Sequence, residues 1–270
     1  MPELPEVETS KNGIAPFTEG QRVKKMIIRN GALRWPVDDS LPERVTDRII
    51  TQVSRRAKYL LLHFSGGNLM IHLGMSGRLR VVNEQQPADK HDHIDLVLAN
   101  GKCLRFTDPR RFGSWVWSPS ELAEKLLNKL GPEPLSSEFD GDYLYRQCKK
   151  RKAGIKQVIM DNQVVVGVGN IYATEALFLV GIRPTRAANR LSKAKAHELA
   201  SLIKDVLAKA IKQGGTTLKD FTQSDGKPGY FKQELLVYGR QGEECLICGQ
   251  TIKSVRQGQR ASAFCPKCQQ

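Results

Sequence analysis

Gly131-Pro132-Glu133-Pro134 is the stretch on which the fold turns. Pro and Gly packed this closely cannot continue a helix or a central strand, and the residue pattern differs on the two sides. Upstream, from Arg22 to Trp117, runs rich in Val, Ile and Leu (Val23 to Arg29, Tyr59 to Phe64, Asn68 to Leu73, Ile94 to Ala99) read as strands. Ser65-Gly66-Gly67-Asn68 and Asn100-Gly101 fall between such runs and suit hairpin turns, so an antiparallel sandwich or barrel is expected. Downstream the pattern is helical, near Phe139 to Lys150, Ile155 to Asn162, Ile171 to Val180 and Lys193 to Gln213. Thr216 to Tyr230 reads as a long polar loop, and Leu235 to Gln270 has too few apolar residues to fold unaided. Ahead of the strands, Glu6 to about Phe17 suits a short helix interrupted by Gly13 and Pro16. The expected organisation is α+β with two main domains: residues 1–130, a linker at 131–136, a helical domain at 137–234 and a cysteine-bearing tail at 235–270.

The 270 residues carry 42 Lys+Arg against 28 Asp+Glu, a formal charge of +14, which points to a polyanionic partner. No long apolar span, export signal or basic amphipathic anchor favours a membrane, so nucleic acid leads. A cytoplasmic, reducing compartment is the expectation, and there paired cysteines serve metals better than disulfides.

Cys245, Cys248, Cys265 and Cys268 form C-x2-C-x16-C-x2-C, which brings four thiolates round one tetrahedral ion with a β-hairpin between the pairs. Four sulfur ligands leave no open position, so one structural zinc ion is expected. The hairpin carries Lys253, Arg256 and Arg260 with no acid between Ile252 and Phe264. A second acid-free cluster holds Arg146, Lys149, Lys150, Arg151, Lys152 and Lys156, and suits phosphate contact better than a merely solvated face. Gly167-Val168-Gly169-Asn170 leads into a helix, whose free N–H groups can take a phosphate, although a plain tight turn explains it equally well.

Met1-Pro2-Glu3 opens the chain. Trimming of Met1 leaves Pro2 with a free secondary amine that titrates near ~8, a usable nucleophile at neutral pH beside the carboxyl of Glu3. An acidic first turn with Pro at the helix start is the plainer reading of the same residues.

Taken together, Met1 to Thr9, Arg56-Ala57-Lys58-Tyr59-Leu60, His72-Leu73-Gly74-Met75-Ser76-Gly77, Lys90-His91-Asp92-His93, Thr107-Asp108-Pro109-Arg110-Arg111-Phe112-Gly113, Gly167 to Tyr172 and the cysteine finger closely resemble the formamidopyrimidine-DNA glycosylase family, nearly end to end. The sister endonuclease VIII type begins Pro-Glu-Gly where this chain has Pro2-Glu3-Leu4. The resemblance implies an N-terminal antiparallel β-sandwich with flanking helices and a C-terminal helix-two-turn-helix domain with a zinc-finger hairpin. It implies a monomeric bifunctional glycosylase and abasic-site lyase of base excision repair. Its substrate would be double-stranded DNA holding oxidised purines or abasic sites, cut by β,δ-elimination. Pro2 would form the Schiff base, Glu3 donate the proton, and Lys58 and Arg260 act in β- and δ-elimination. Met75, Arg110 and Phe112 would fill the space of the everted nucleotide. His91, Arg151, Lys156, Asn170 and Arg260 would grip the backbone, and Thr216 to Tyr230 would close on the flipped base.

Read singly, each residue has a plainer role: Met75 as core filler, Phe112 as a sheet residue, Lys58 as a solvated charge, His91 and His93 as satisfied histidines or a weak metal pair. The competing functions are an endonuclease VIII-type enzyme for oxidised pyrimidines and a non-catalytic zinc-finger DNA binder.

Overall fold

A computed structural model describes residues 2–214 and 235–270, so the expected loop from Thr216 to Tyr230 lies outside the described residues. The chain forms two compact units, one built on Met1–Asn128, the other joining Lys129–Lys212 to Gln233–Gln270.

The first unit opens with α1 (Leu4–Thr18), which runs unbroken through Gly13 and Pro16. Pro16 takes the donor from Asn12 O, but both residues are exposed, so that carbonyl meets water, and Glu19 N–H still closes on Ala15 O at 3.0 Å. At the other end the Glu6 carboxylate accepts the Glu3 backbone N–H at 2.8 Å, which starts the helix two residues earlier than the sequence pattern suggests. Then follow β1 (Val23–Ile28), α2 (Leu41–Val45), β2 (Gln52–Arg56), β3 (Tyr59–Phe64), β4 (Gly67–His72), β5 (Arg78–Asn83), β6 (Asp92–Leu98), β7 (Lys102–Thr107), β8 (Ser114–Ser118) and α3 (Glu121–Leu127). They make two four-stranded sheets, ordered β1-β6-β7-β5 and β2-β3-β4-β8, with every pairing antiparallel. Ser65-Gly66 joins β3 to β4 in a two-residue hairpin, Phe64 pairing with Gly67. The inner faces meet in one core, to which Leu60, Leu62, Ile71, Leu96, Leu104, Phe106 and Trp115 contribute, and α1 adds Val7 and Ile14. Strict alternation of buried and part-buried residues along β3 is the period-2 signature of a sheet with one face in that core.

At the centre of the β1-β6-β7-β5 sheet the outer face is buried too, and ions hold much of it. The carboxylate of Asp95 takes a bidentate grip from Arg105, Nε and Nη2 each at 2.9 Å, and a third bond from Arg29 at 2.6 Å. Arg80 reaches Asp92 at 3.0 Å. Arg105 also donates to the carbonyls of Pro87 and Gln86, at 2.8 and 2.9 Å, and Asp92 accepts from Asp89 N–H at 2.9 Å. The network thereby ties the loop between β5 and β6, which ends at His91, to the sheet. Burial alone would raise both acids, but hydrogen bonds and the arginine charges outweigh it and hold Asp92 and Asp95 below the ordinary carboxylate range.

In the second unit come α4 (Gly141–Lys149), α5 (Ile155–Ile159), α6 (Asn170–Leu179), α7 (Lys193–Lys212) and the hairpin β9 (Lys253–Gln257) and β10 (Arg260–Phe264). The Gly131 turn packs within this unit, its N–H on Asn162 O at 2.7 Å. Along α7, Ala196, Leu199, Ala200, Ile203, Leu207 and Ala210 form one buried stripe of helical period, set against α4 and α6. Helix α6 is buried from Ile171 to Phe178 and is the axis of the unit.

Asp95→Asn keeps volume but leaves Arg105 facing a neutral amide in a buried site, and the expected cost is about 3 to 5 kcal/mol, read from the denaturant midpoint. Because the folded-state values of Asp92 and Asp95 are depressed, their contribution is present above an unfolded value near ~3.9 and is lost as pH falls through the folded values. The wild type therefore weakens below about pH 4, and the variant's stability curve is flatter there. A midpoint unchanged by the substitution would show that the network contributes nothing.

Candidate active site and nucleic-acid interface

In the first unit the candidate residues sit at the N-terminus of α1 and on three turns. Pro2 and Glu3 are buried at the start of α1, Glu3 only 2% exposed. Lys58 is half-buried and belongs to the two-residue turn between β2 and β3, where Arg56 pairs with Tyr59. Ala57 before it has φ 53°, a left-handed conformation that costs an L-residue of order 1 kcal/mol. Arg55 offsets that strain: it donates to the Ala57 carbonyl at 2.9 Å and to Glu8 on α1 at 2.7 Å. One guanidinium thus fixes the Lys58 turn against the helix that carries Pro2. Burial works against the Glu8 anion, yet hydrogen bonds from Lys11 and Arg55 hold its carboxyl below the usual range.

The other two turns are locked together by Asp108, which is fully buried. Its Oδ1 accepts from Ser76 Oγ at 2.6 Å and its Oδ2 from Gly113 N–H at 2.8 Å. Its backbone carbonyl faces His93 Nε2 at 2.8 Å, and its N–H donates to His91 O at 3.0 Å. A Cβ on Gly74 would lie 2.5 Å from Gly113 N and Phe112 C, so the two turns touch backbone to backbone. The result is display: Met75 is 41% and Phe112 42% exposed, and the Arg110 guanidinium lies 4.7 Å over the Phe112 ring. Neither Met75 nor Phe112 is a core residue. His93 is buried on Asp108, His91 is half-buried beside it, and among the described residues only the four cysteines gather as a metal-ligating group.

A hollow of about 730 Å³ adjoins these turns, lined by Arg34, His72, Met75, Arg110 and Phe112. Burial, then the Lys58 and Arg34 cations, pull His72 down to about 4, so it is neutral at physiological pH. Its Nδ1 accepts Gly74 N–H at 2.9 Å, which leaves the proton on Nε2. Sequence reading singled out neither Arg34 nor His72. His72 stands at the head of the His72-Leu73-Gly74-Met75 motif, a usable signal, whereas Arg34 reaches the hollow from a loop that bears no motif.

In the second unit Lys156, Asn170, Arg260, Gln157, Gln257 and Ser262 line a cleft of about 250 Å³. Lys156 is 1% exposed, so it does not belong with the solvated cations beside it in sequence. Its Nζ donates to Asn170 Oδ1 at 2.6 Å and Ser262 Oγ at 2.9 Å, neutral acceptors both. Asn170 is the first residue of α6, so a cation and a helix N-terminus converge on the cleft, an arrangement made for an anion. Arg260 stands exposed at the start of β10 opposite Gln257. Arg151 is half-buried, its Nη1 turned back on Gln147 O and Oε1 at 2.9 and 2.8 Å.

The four cysteine sulfurs all lie within 4.8 Å of one another, with Cys245 to Cys268 at 3.9 Å and Cys248 to Cys265 at 3.5 Å. Tetrahedral Zn–S bonds of about 2.3 Å require sulfurs about 3.8 Å apart, so the set fits one structural zinc ion. The finger packs on α6: Phe178 joins Val237, Ile252, Ala263 and Cys265, and the buried Glu175 carboxylate accepts the N–H groups of Leu236, Val237 and Tyr238 at 2.8 to 3.1 Å.

An exposed aromatic beside a cation finds a use where bases are unstacked, and a cationic cleft at a helix end finds one on a phosphate; enzymes that extrude a base from the duplex need both. The class is that of the DNA glycosylases of base excision repair. Three family models cover the chain: the formamidopyrimidine-DNA glycosylase N-terminal domain at residues 1–115, the H2TH domain of the same enzyme at 130–222, and the zinc finger found in FPG and IleRS at 242–270. The formamidopyrimidine-DNA glycosylase of Salmonella arizonae is 58% identical over 269 residues, 100% of each chain. The Lactococcus lactis enzyme bound to abasic-site DNA is 34% identical with a TM-score of 0.90 over 99% of both chains. With Fapy-dG DNA the same enzyme gives 34% and 0.88 over 99% of this chain and 100% of that one. The chain belongs to the formamidopyrimidine-DNA glycosylase family. No helix among the described residues is long and apolar enough to cross a membrane.

Phe112→Ala should leave the melting temperature nearly unchanged, within about 0.5 kcal/mol, since the ring is displayed and not packed. A core-like loss of about 3 to 5 kcal/mol would contradict that placement. Cys245→Ser should lose zinc by elemental analysis and unfasten β9 and β10 from Lys156, weakening DNA binding while the first unit still melts cooperatively. Normal binding by zinc-free protein would show that the ion is not structural.

Proposed function

We propose that the chain excises oxidised purines, formamidopyrimidines and 8-oxoguanine, from duplex DNA and cuts the strand at the resulting abasic site. The observation that carries this reading is the end-to-end match to an enzyme family one of whose members has been solved on both abasic and Fapy-dG DNA. Once Met1 is removed, the Pro2 nitrogen attacks C1′ of the damaged nucleotide. The glycosidic bond breaks, its electron pair leaves with the base, and the attacking nitrogen gives up its proton. Glu3 protonates the sugar ring oxygen as the C1′–O bond opens, which yields an iminium ion. A secondary amine suits this step, because its adduct carries the positive charge without further protonation. The iminium acidifies the C2′ proton; its removal expels the 3′ phosphate, and a second elimination expels the 5′ phosphate. Lys58 serves the first elimination and Arg260 the second.

The positions of the remaining residues support their roles. Phe112 and Met75 are displayed, Arg110 stands beside Phe112 to meet the orphaned base, and Lys156, Asn170 and Arg260 share a cleft suited to a backbone phosphate. His91 adds a contact from the loop held by Arg105, and Arg151 one from the edge of the helical unit once it turns from Gln147.

Borohydride added to protein and an 8-oxoguanine duplex should trap a covalent adduct, and a residue retained before Pro2 should abolish both trapping and base release while duplex binding persists. Full activity with a blocked N-terminus would sink the mechanism. Glu3→Gln should slow base release by about two to four orders of magnitude with little change in affinity.

A further inference from the structure

Lys150 and Lys152 of the acid-free cluster, and Arg183, Arg186 and Arg190 from a separate loop, have no role in the mechanism above. Residues 149–156 and 183–190 are stitched side by side: Ile155 N–H donates to Arg186 O at 2.8 Å, Ala188 N–H to Ala153 O at 2.9 Å and Asn189 N–H to Arg151 O at 3.0 Å. No Asp or Glu occurs from Tyr143 to Met160 or from Gly181 to His197. Within this ribbon the structure separates cations that are buried or hydrogen-bonded to the fold from those that are exposed and form no ion pair among the described residues. Lys149 holds Asn189 O at 3.0 Å, Arg151 holds Gln147, and Lys156 is buried in the cleft. Lys150, Lys152, Arg183, Arg186 and Arg190 are exposed, with no ion pair among the described residues. The ribbon abuts the zinc hairpin: Gln257, which lines the cleft, donates to Pro184 O at 3.1 Å, and Arg183 lies 4.7 Å over the Phe264 ring.

We propose that this ribbon, Lys150 and Lys152 with Arg183, Arg186 and Arg190, is a second DNA-backbone contact that takes phosphates beyond the one in the Lys156–Asn170–Arg260 cleft. The proposal rests on the reading of that cleft as a phosphate site. Like charges this close repel over a Debye length of about 8 to 10 Å, and a polyanion lying across them removes that cost. A helix C-terminus accounts for Lys150, which caps α4, but not for Lys152 or for arginines on a separate loop. An acidic protein could meet the same charges. Contiguity with the cleft favours DNA, since a duplex seated there continues past its edge. Contacts of this kind are blind to sequence and damage, and their mark is salt dependence.

Lys152→Gln/Arg186→Gln removes two exposed charges whose side chains hold nothing in the fold. In the full-length zinc-loaded protein, affinity for a lesion duplex and for an undamaged duplex should fall by the same factor, about tenfold near 0.1 M salt. The slope of log K against log salt should shrink by about 1.8, two contacts at 0.9 each. Ethylation interference should lose phosphates on the variant that it detects on the wild type, while zinc content and melting temperature stay put. Unchanged affinity for both duplexes would overturn the proposal and point to an acidic protein partner. Weakening confined to the lesion duplex would overturn it too, by placing the two residues at the lesion. Failure of the wild-type chain to bind a lesion duplex would overturn the proposal together with the function on which it rests, and is seen before any substitution is made.

Discussion

The carboxylate of Asp108 is the constraint on which the first unit's display of side chains depends. It is fully buried and bonds Ser76 on one turn and Gly113 on another, so two segments more than thirty residues apart in sequence move as one body. A buried carboxylate must satisfy its lone pairs or carry a heavy desolvation cost, and here the turns supply the donors. That requirement forces Met75 and Phe112 outward. Arg111, at φ 56°, is held in a conformation that an L-residue avoids, and the bonds on either side of it explain why it stays there. The exposure of Met75 and Phe112 is therefore a by-product of satisfying one acid.

The second unit uses a single helix for the same purpose. Along α6, Asn170 at the first turn faces the cleft, Glu175 in the middle secures the backbone at Leu236 to Tyr238, and Phe178 near the end enters the finger's small core. Since Lys156 also bonds Ser262 on the hairpin, the cleft and the zinc site share one rigid frame. A finger too poor in apolar residues to fold alone borrows its core from this helix.

Local rules made much of this legible. The apolar run from Tyr59 to Phe64 located β3, Ser65-Gly66-Gly67-Asn68 located its hairpin, and the cysteine spacing located the metal site, because each is decided by neighbours in sequence. What was hidden depends on partners far along the chain. Lys156 reads as one more charge in a basic run, yet Asn170 and Ser262, far along the chain, hold its buried amine. Arg34, on a loop, and His72, at the end of β4, reach one hollow from segments far apart in sequence. Helix α1 runs through Gly13 and Pro16 because Val7 and Ile14 pack in the core and the carbonyl that Pro16 leaves unpaired lies on exposed Asn12. Asp92 and Asp95 look like surface residues until Arg80 and Arg105 are seen beside them.

That last network also bears on how the sequence can change over generations. Arg105 pairs with both Asp92 and Asp95, so replacing Arg105 or Asp95 by an apolar residue strands a charge inside, at a cost that takes up much of a typical domain's stability. Replacing them all by hydrophobic residues could be neutral, yet every route to that state by single steps passes through a stranded charge. The Arg105–Asp92–Asp95 cluster is thus an island in sequence space: its residues drift as a block or not at all, while the apolar face opposite is free to exchange Leu, Ile and Val one at a time.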